Sequence, residues 1–459
     1  MGDMGTMVWE EEQGRGTMDL SELVERLAYG FYKWDAYTEG EARVSPQPFV
    51  LSEAQCAELS SIALAFDRLI RRTVELYHAE RRVRRFFHLP LGQRRMLMIE
   101  AERRRLGLTR WSGAGYGGIA RYDVIPTLEG GWKVLEWNTD VCGGQPECLG
   151  LAVLLADEWP EARNPNRFIE QLAEGIAGKA GLATPTLGVL YATGFAEDAQ
   201  VACLLRDQLR RWGIRVVIGA PTNLTFGQDG AVSLFGERVT IVYNYFPTSW
   251  FDQLPRAWVR RFLAAYLAGG FALVTPLDQL IIQNKKISAF WHRYRTWFTA
   301  DEQALIQRYV PSTTCVAPTQ AQAYEDAREA LVLKKIEGRQ GEEVLVGRLM
   351  AQQEWAEAVR AIARREPDAW TVQAWVESRS VPFPQPGSGQ LERMFPCIGI
   401  YVVRGEIGGF YTRLSGVPKT DYRALNVATL IAEPPTLGPL PLARSGAVEG
   451  RRSGALCGS

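Results

Sequence analysis

Between Ser52 and about Arg105 apolar residues recur at intervals of three and four, among them Leu59, Ile62, Ala63, Phe66, Leu69 and Ile70. That is the period of one face of an α-helix, and Ser52 followed by Gln55 supplies a capping-box start. The period then changes. IARYDVI and WKVLEWN, rich in β-branched and aromatic residues, flank the turn-forming PTLEGG and predict a β-hairpin. From Pro185 to Thr275 apolar runs (LGVLYA, IRVVIGA, VTIVYNY, FALVTP) alternate with helical stretches at Glu197 to Trp212 and around Ala257 to Ala268. Strands alternating with helices at this spacing predict a parallel, Rossmann-like unit. After Gln283 a helix carrying NKKISAFWHRY leads to the strand ALVLKKI, a Gly-containing turn and the strand EEVLVGR, and WTVQAWV and CIGIYVVRGEIGGFYTRLS read as further strands. Residues 1–17 and 433–459 lack periodicity and are rich in small residues, so mobile ends without chemistry are expected there.

A length of 459 residues implies two or three packed domains. The 52 basic and 52 acidic side chains cancel, which removes the electrostatic footprint of a nucleic-acid coat or a polybasic membrane binder. Seven Cys without a C-x-x-C spacing exclude a zinc knuckle and make a disulfide framework an unsuitable reading; three dispersed His form no HExxH pattern. The N-terminus is acidic where a secretory signal is basic, and no apolar stretch reaches membrane-spanning length. A soluble cytoplasmic protein, with no nucleic-acid or membrane partner, is the expectation. Only eight of the basic residues are Lys, four of them in the pairs Lys285/Lys286 and Lys334/Lys335. Between Arg68 and Arg110, 13 Arg stand against four Glu. That excess is either a solvated helical surface or a basic wall facing an acidic substrate or partner.

Strand alternation puts Glu136 with Asn138 on one face of the hairpin and Arg121 with Asp123 on one face of its partner strand. Two carboxylates and an amide oxygen suit Mg²⁺, which takes few protein ligands; a polar, exposed hairpin face is the plainer alternative. Asp140 and Glu147 extend the acidic cluster. In a chain so poor in Lys, a position that keeps it fits the need for a compact charge on phosphate oxygens, although chance placement explains it as well. Lys334 ends an apolar strand before EGRQG, where Gly338 and Gly341 permit close backbone approach to phosphate and Arg339 adds a charge. Strand, Gly turn and strand form a lid over a nucleotide. There is no P-loop, and no GxGxxG follows the first strand of the alternating unit, which disfavours a dinucleotide-binding oxidoreductase.

In their order, RYD, LEWNTD with a following Glu, NKK, VLKKIEGRQG, VQAW and GIYVVRGEIGGFYTRLS resemble the synthetase domain of glutathionylspermidine synthetases and their relatives, over about Gly113 to Ser415. These are ATP-grasp carboxylate-amine ligases with circularly permuted motifs. The resemblance implies an α/β (α+β) protein with an ATP-grasp fold in permuted order. Together with the pattern read above, the expected divisions are an Arg-rich helical region at 18–110, a part with the metal-binding hairpin at 111–180, a Rossmann-like domain at 181–276, and the nucleotide lid and C-terminal part at 277–432. It places magnesium on Asp123, Glu136 and Asn138, and the phosphoryl-steadying arginine on Arg121. ATP lysines fall on Lys285 and Lys334, the mobile-loop arginine on Arg339, and a phosphate-side arginine on Arg413. Gln373 falls on the adenine side, with backbone from Ala374 through Trp375 to Val376 against the base.

The chain departs from that pattern at Lys335, where the family commonly has Pro, which leaves open which Lys faces the phosphates. Val141 and Gly143 replace hydroxyl residues of the polyamine-glutathione enzymes, and the amidase domain of some relatives is absent. The expected reaction is amide formation between a small-molecule carboxylate and an amine through an acyl phosphate, using ATP and Mg²⁺, with Asp140 or Glu147 as candidate bases. Another ATP-grasp phosphoryl transfer, or an inactive partner protein of the same fold, are the alternatives.

Overall fold

The computed structural model describes residues 18–108, 116–180, 185–338 and 343–432. Arg339, Gly341 and both expected tails lie outside them. Ser52 Oγ accepts from the Gln55 amide while Gln55 Oε1 accepts from the Ser52 amide, at 3.1 and 3.0 Å. This capping box starts a helix at Glu53–Ala79, whose apolar stripe is buried as its period requires. The helical run does not continue unbroken to Arg105. It divides into Glu53–Ala79, Arg81–Phe87 and Leu91–Arg105, because Glu80 is extended, His88 is left-handed and Pro90 lacks an amide to continue a helix.

A central sheet orders its strands as Phe49–Leu51, Leu425–Ile431, Glu406–Ser415, Leu391–Val403, Ile119–Pro126 and Trp132–Asn138, with Val381–Pro384 pairing the start of Leu391–Val403. The pairing is antiparallel except between Phe49–Leu51 and Leu425–Ile431. The sequence pattern placed only helix before the hairpin. A three-residue strand is too short to show period two, so Phe49–Leu51 escaped that reading. Leu391–Val403 and Glu406–Ser415 join through Arg404 and Gly405, both at positive φ, the two-residue turn whose twist suits a hairpin.

The two faces of this sheet have different duties. Ala120, Tyr122, Val124, Ile398, Ile400 and Val402 point into the core shared with helix Glu53–Ala79, and Tyr122 Oη donates to the buried Asp67 at 2.8 Å. Burial pushes the Asp67 carboxyl up to about 6. The alternate residues Arg121, Asp123, Gly399, Tyr401, Tyr411 and Arg413 therefore share the opposite face, where helix Phe168–Ala180 packs over part of the sheet.

Residues between the hairpin and the C-terminal strands build further sheets, two of them four-stranded. One is parallel, ordered Ala272–Leu273, Ile241–Tyr245, Thr186–Tyr191, Arg215–Gly219. The other is antiparallel, ordered Thr313–Cys315, Trp370–Ala374, Leu331–Lys335, Val344–Val346, and helix Gln352–Arg365 seats the fully buried Trp355 against it. No helix among the described residues is long and apolar enough to cross a membrane.

Candidate active site

The hairpin register sets Arg121 opposite Asn138 and Asp123 opposite Glu136, so four polar side chains meet within two cross-strand rows. Arg121 forks onto Asp123, with Nε to Oδ1 at 2.7 Å and Nη2 to Oδ2 at 2.9 Å. Asn138 Nδ2 adds a bond to Asp123 Oδ2 at 3.1 Å. Arg413, from a strand far along the chain, reaches the same oxygen at 2.7 Å. Burial alone would raise the Asp123 carboxyl. The two guanidinium groups outweigh it and hold the group down at about 2.

Lys285 Nζ lies 3.0 Å from Glu136 Oε1 and also donates to the Gly338 carbonyl. Its charge keeps Glu136 below the usual carboxylate range against burial and the nearby Asp123. Lys334 Nζ donates to the Leu135 carbonyl at 3.2 Å. Burial, with Lys285 adding to it, brings the Lys334 ammonium down to about 8, although Glu136 pulls the other way. Lys335 points elsewhere and pairs with Glu343 at 2.6 Å, so Lys334 is the lysine of that pair that faces the site.

Glu136, Gln283, Lys285, Lys334 and Gln373 line one narrow cavity. Gln373 Nε2 donates to Thr313 Oγ1 at 3.0 Å. Trp375 lines a neighbouring cavity with Lys133, His292 and Arg295, and Arg348 lies over its ring. The amides of Ala374 and Trp375, expected against a base, donate instead to the Ser312 and Ala330 carbonyls, both at 2.8 Å. The sheet ladder runs past the strand end and takes both donors.

Gly399 stands opposite Asp123, and a Cβ there would lie 2.8 Å from the Tyr411 ring and 3.0 Å from Arg121 Cδ. Glycine at this position lets Tyr411 settle beside both arginines, whose guanidinium carbons each lie 5.6 Å from its ring centre. The Arg121 guanidinium also donates to the Gly143 carbonyl at 2.6 Å, tying the sheet to the loop after the hairpin.

That loop faces the ends of the parallel strands. Asp140 accepts from the Thr248 amide and hydroxyl, the latter at 2.9 Å. Glu147 pairs with the buried Lys33 at 2.8 Å, and Lys33 also holds Asp35. Both candidate bases are thus engaged with other parts of the protein. Neither the role of Lys33 nor a further feature was visible in the sequence: buried Gln145, Asn244, Thr275 and Gln279 each keep a side-chain polar atom without a hydrogen-bond partner. The available signal was polar residues at the C-terminal ends of parallel strands, where α/β sheets bind ligands.

Residues 233–408 match a family model described as circularly permuted ATP-grasp type 2. The mixed α/β fold includes a circularly permuted ATP-grasp domain. The match includes Lys285, Lys334, Gln373 and Trp375; the hairpin and Arg413 lie outside it. Among solved structures, a glutathione synthetase-like effector from Globodera pallida in its apo form aligns with a TM-score of 0.58 at 12% identity, covering 90% of this chain and 98% of its own. A putative gamma-glutamylcysteine synthetase from Methylobacillus flagellatus aligns with a TM-score of 0.42 at 12% identity, over 83% and 89% of the two chains. The first of these likenesses is one of fold. No curated protein sequence matches the chain.

Proposed function

We propose that this ATP-grasp protein is an ATP-dependent carboxylate-amine ligase that forms an amide through an acyl phosphate. The observation that carries this reading is the convergence of Arg121, Arg413, Lys285 and Lys334 on Asp123 and Glu136 beside the narrow cavity. Four cations against two anions leave positive charge for a polyphosphate. The glutathionylspermidine synthetase-like motif order supports ligation over other phosphoryl transfers.

The donor set fits a magnesium ion. Asp123 and Glu136 are cross-strand neighbours, and Asn138 uses its amide nitrogen on Asp123, leaving its oxygen to coordinate. No group of three His, Cys, Asp or Glu side chains suited to a metal occurs among the described residues, so the site would rely on Asn138 as its third ligand. Bound there, magnesium would supply charge neutralisation for the phosphates. Arg121, Arg413 and Lys285, which now hold the carboxylates, would then turn to phosphate oxygens.

In the reaction a substrate carboxylate oxygen attacks the γ-phosphorus of ATP, the bond to the bridging oxygen breaks and ADP leaves. Arg121 and Arg413, together with Arg339 on the strength of the sequence motif alone, offset charge on the equatorial oxygens, the main catalytic demand of phosphoryl transfer. The amine nitrogen next attacks the acyl carbon, inorganic phosphate departs, and the nitrogen's proton passes to that phosphate or to water. With Asp140 and Glu147 engaged, the amine must arrive neutral. Lys285, Lys334, Gly338 and Gly341 hold the phosphates, while Gln373 and Trp375 flank the nucleoside. The unpartnered polar groups near the parallel strand ends would receive the acceptor substrate.

The test is a matrix of carboxylates and amines assayed for ATP-dependent phosphate release, with products identified by mass. An amide joining one pair supports the reading. A phosphorylated substrate without amide, or no ATP turnover with any pair, argues for one of the alternatives.

A further inference from the structure

The arginine excess in residues 68–110 is not absorbed by the proposed active site. Part of it is structural: Arg84 caps the Tyr77 and His78 carbonyls, buried Arg103 holds Tyr266 and Leu108, Arg104 pairs with Asp278, and Arg105 with Glu102. Arg71 and Arg72 pair with Glu75, whereas five others differ. Arg81, Arg82, Arg85, Arg94 and Arg95 are exposed and make no ion pair among the described residues. Arg81 and Arg85 are one turn apart in the helix Arg81–Phe87, where like charges weaken a helix by a few tenths of a kcal/mol. No ion pair among the described residues offsets that repulsion.

Apolar side chains accompany the charge. Leu91, Arg94, Arg95 and Met98 follow one another at helical spacing on the outward face of Leu91–Arg105, and Leu91 and Met98 are 56% and 70% exposed. This helix is about 20 Å long, enough for about six residues of extended chain. Its first turn touches the lid, since Gln93 Nε2 lies 3.5 Å from Glu337 Oε1.

We infer that these two helices form a docking strip for an acidic polypeptide whose carboxylates alternate with aliphatic side chains. Charge complementarity decides the sign of the partner. Nucleic acid fits poorly, because the exposed members include no aromatic platform for bases and the chain as a whole is neutral. A membrane fits poorly as well. Binding in its interface needs an apolar helix face opposite the basic one, and here that face is buried in the core by Met96, Leu97 and Val83.

The inference does not depend on the ligase reading, and its test keeps the two apart. A fluorescein-labelled peptide repeating Glu-Leu-Glu-Glu, about 15 residues long, is titrated with the full chain at low and at physiological salt by anisotropy. Saturable binding is expected, at least about tenfold weaker in the quadruple variant Arg81→Glu, Arg85→Glu, Arg94→Glu, Arg95→Glu. The circular dichroism spectrum and nucleotide affinity of that variant should match the wild type. Because charge reversal risks misfolding, the neutral double variant Arg94→Gln, Arg95→Gln serves as a second probe, with an intermediate loss expected. No binding of the peptide by the wild-type chain overturns the proposal. So does equal binding by the variants, or tighter binding of single-stranded oligonucleotide or phosphatidylserine vesicles than of the peptide.

Discussion

Gly399 stands directly across from Asp123 in the central sheet, and the volume a side chain would take there is occupied by the Tyr411 ring and the Arg121 stem. Gly399→Ala must therefore displace one of them. Shifts of an ångström in a positioning group cost on the order of 100-fold in rate, so ATP turnover should fall about 10- to 100-fold. Unfolding temperature should change little. Steady-state phosphate release, compared with thermal denaturation, checks both expectations.

Arg121 forks across both oxygens of Asp123 and donates as well to the Gly143 carbonyl. Arg121→Ala should lower turnover by at least about 100-fold, the scale for losing one charge-stabilising donor. Arg121→Lys should recover little of it, because a point charge lacks the planar fork. Turnover within threefold of wild type in either variant would remove Arg121 from the catalytic set.

Glu136→Gln separates metal binding from general electrostatics. The substitution removes an anion beside Lys285 and Lys334, so metal-free ATP should bind as tightly as before or more tightly. The gain in affinity that magnesium confers should disappear. Calorimetric titration with ATP, with and without magnesium, reads the two effects independently.

Lys334 gives a pH signature. Its proton is held only to about 8, against an ordinary value of 10.5, because the buried charge is disfavoured. Bound phosphates favour the charged form, so nucleotide binding should take up a proton near pH 8. Affinity should fall as pH rises above that point, by up to about tenfold per unit. In Lys334→Arg the guanidinium stays charged, and the fall above pH 8 should vanish. A break that persists in the variant would assign the titration to another group.

Much of this arrangement follows from local pattern. Period-two alternation placed Arg121 with Asp123 and Glu136 with Asn138, and the register of the hairpin then set them face to face. Ser52 and Gln55 are adjacent enough for their reciprocal bonds to be read directly. Scarcity of lysine pointed to Lys285 and Lys334, but it could not separate them from Lys33, a buried partner of Asp35 and Glu147 with a structural duty. Contacts between distant parts of the chain were the least legible. Nothing local states that Arg413 lands on Asp123, or that the amides of Ala374 and Trp375 are consumed by neighbouring segments. The motif order supplied Arg413 as a candidate, while its geometry needed the assembled sheet.

The central sheet draws its strands from residues 49–51, 119–138 and 381–431. During synthesis the hairpin leaves the ribosome long before Leu391–Val403 and Glu406–Ser415 exist to flank it. Asp123 then has Arg121 but not Arg413, and the strand Ile119–Pro126 is an open edge. The proposed phosphate site is consequently among the last features to form, and on that reading a nascent chain should be unable to trap nucleotide until translation is nearly complete.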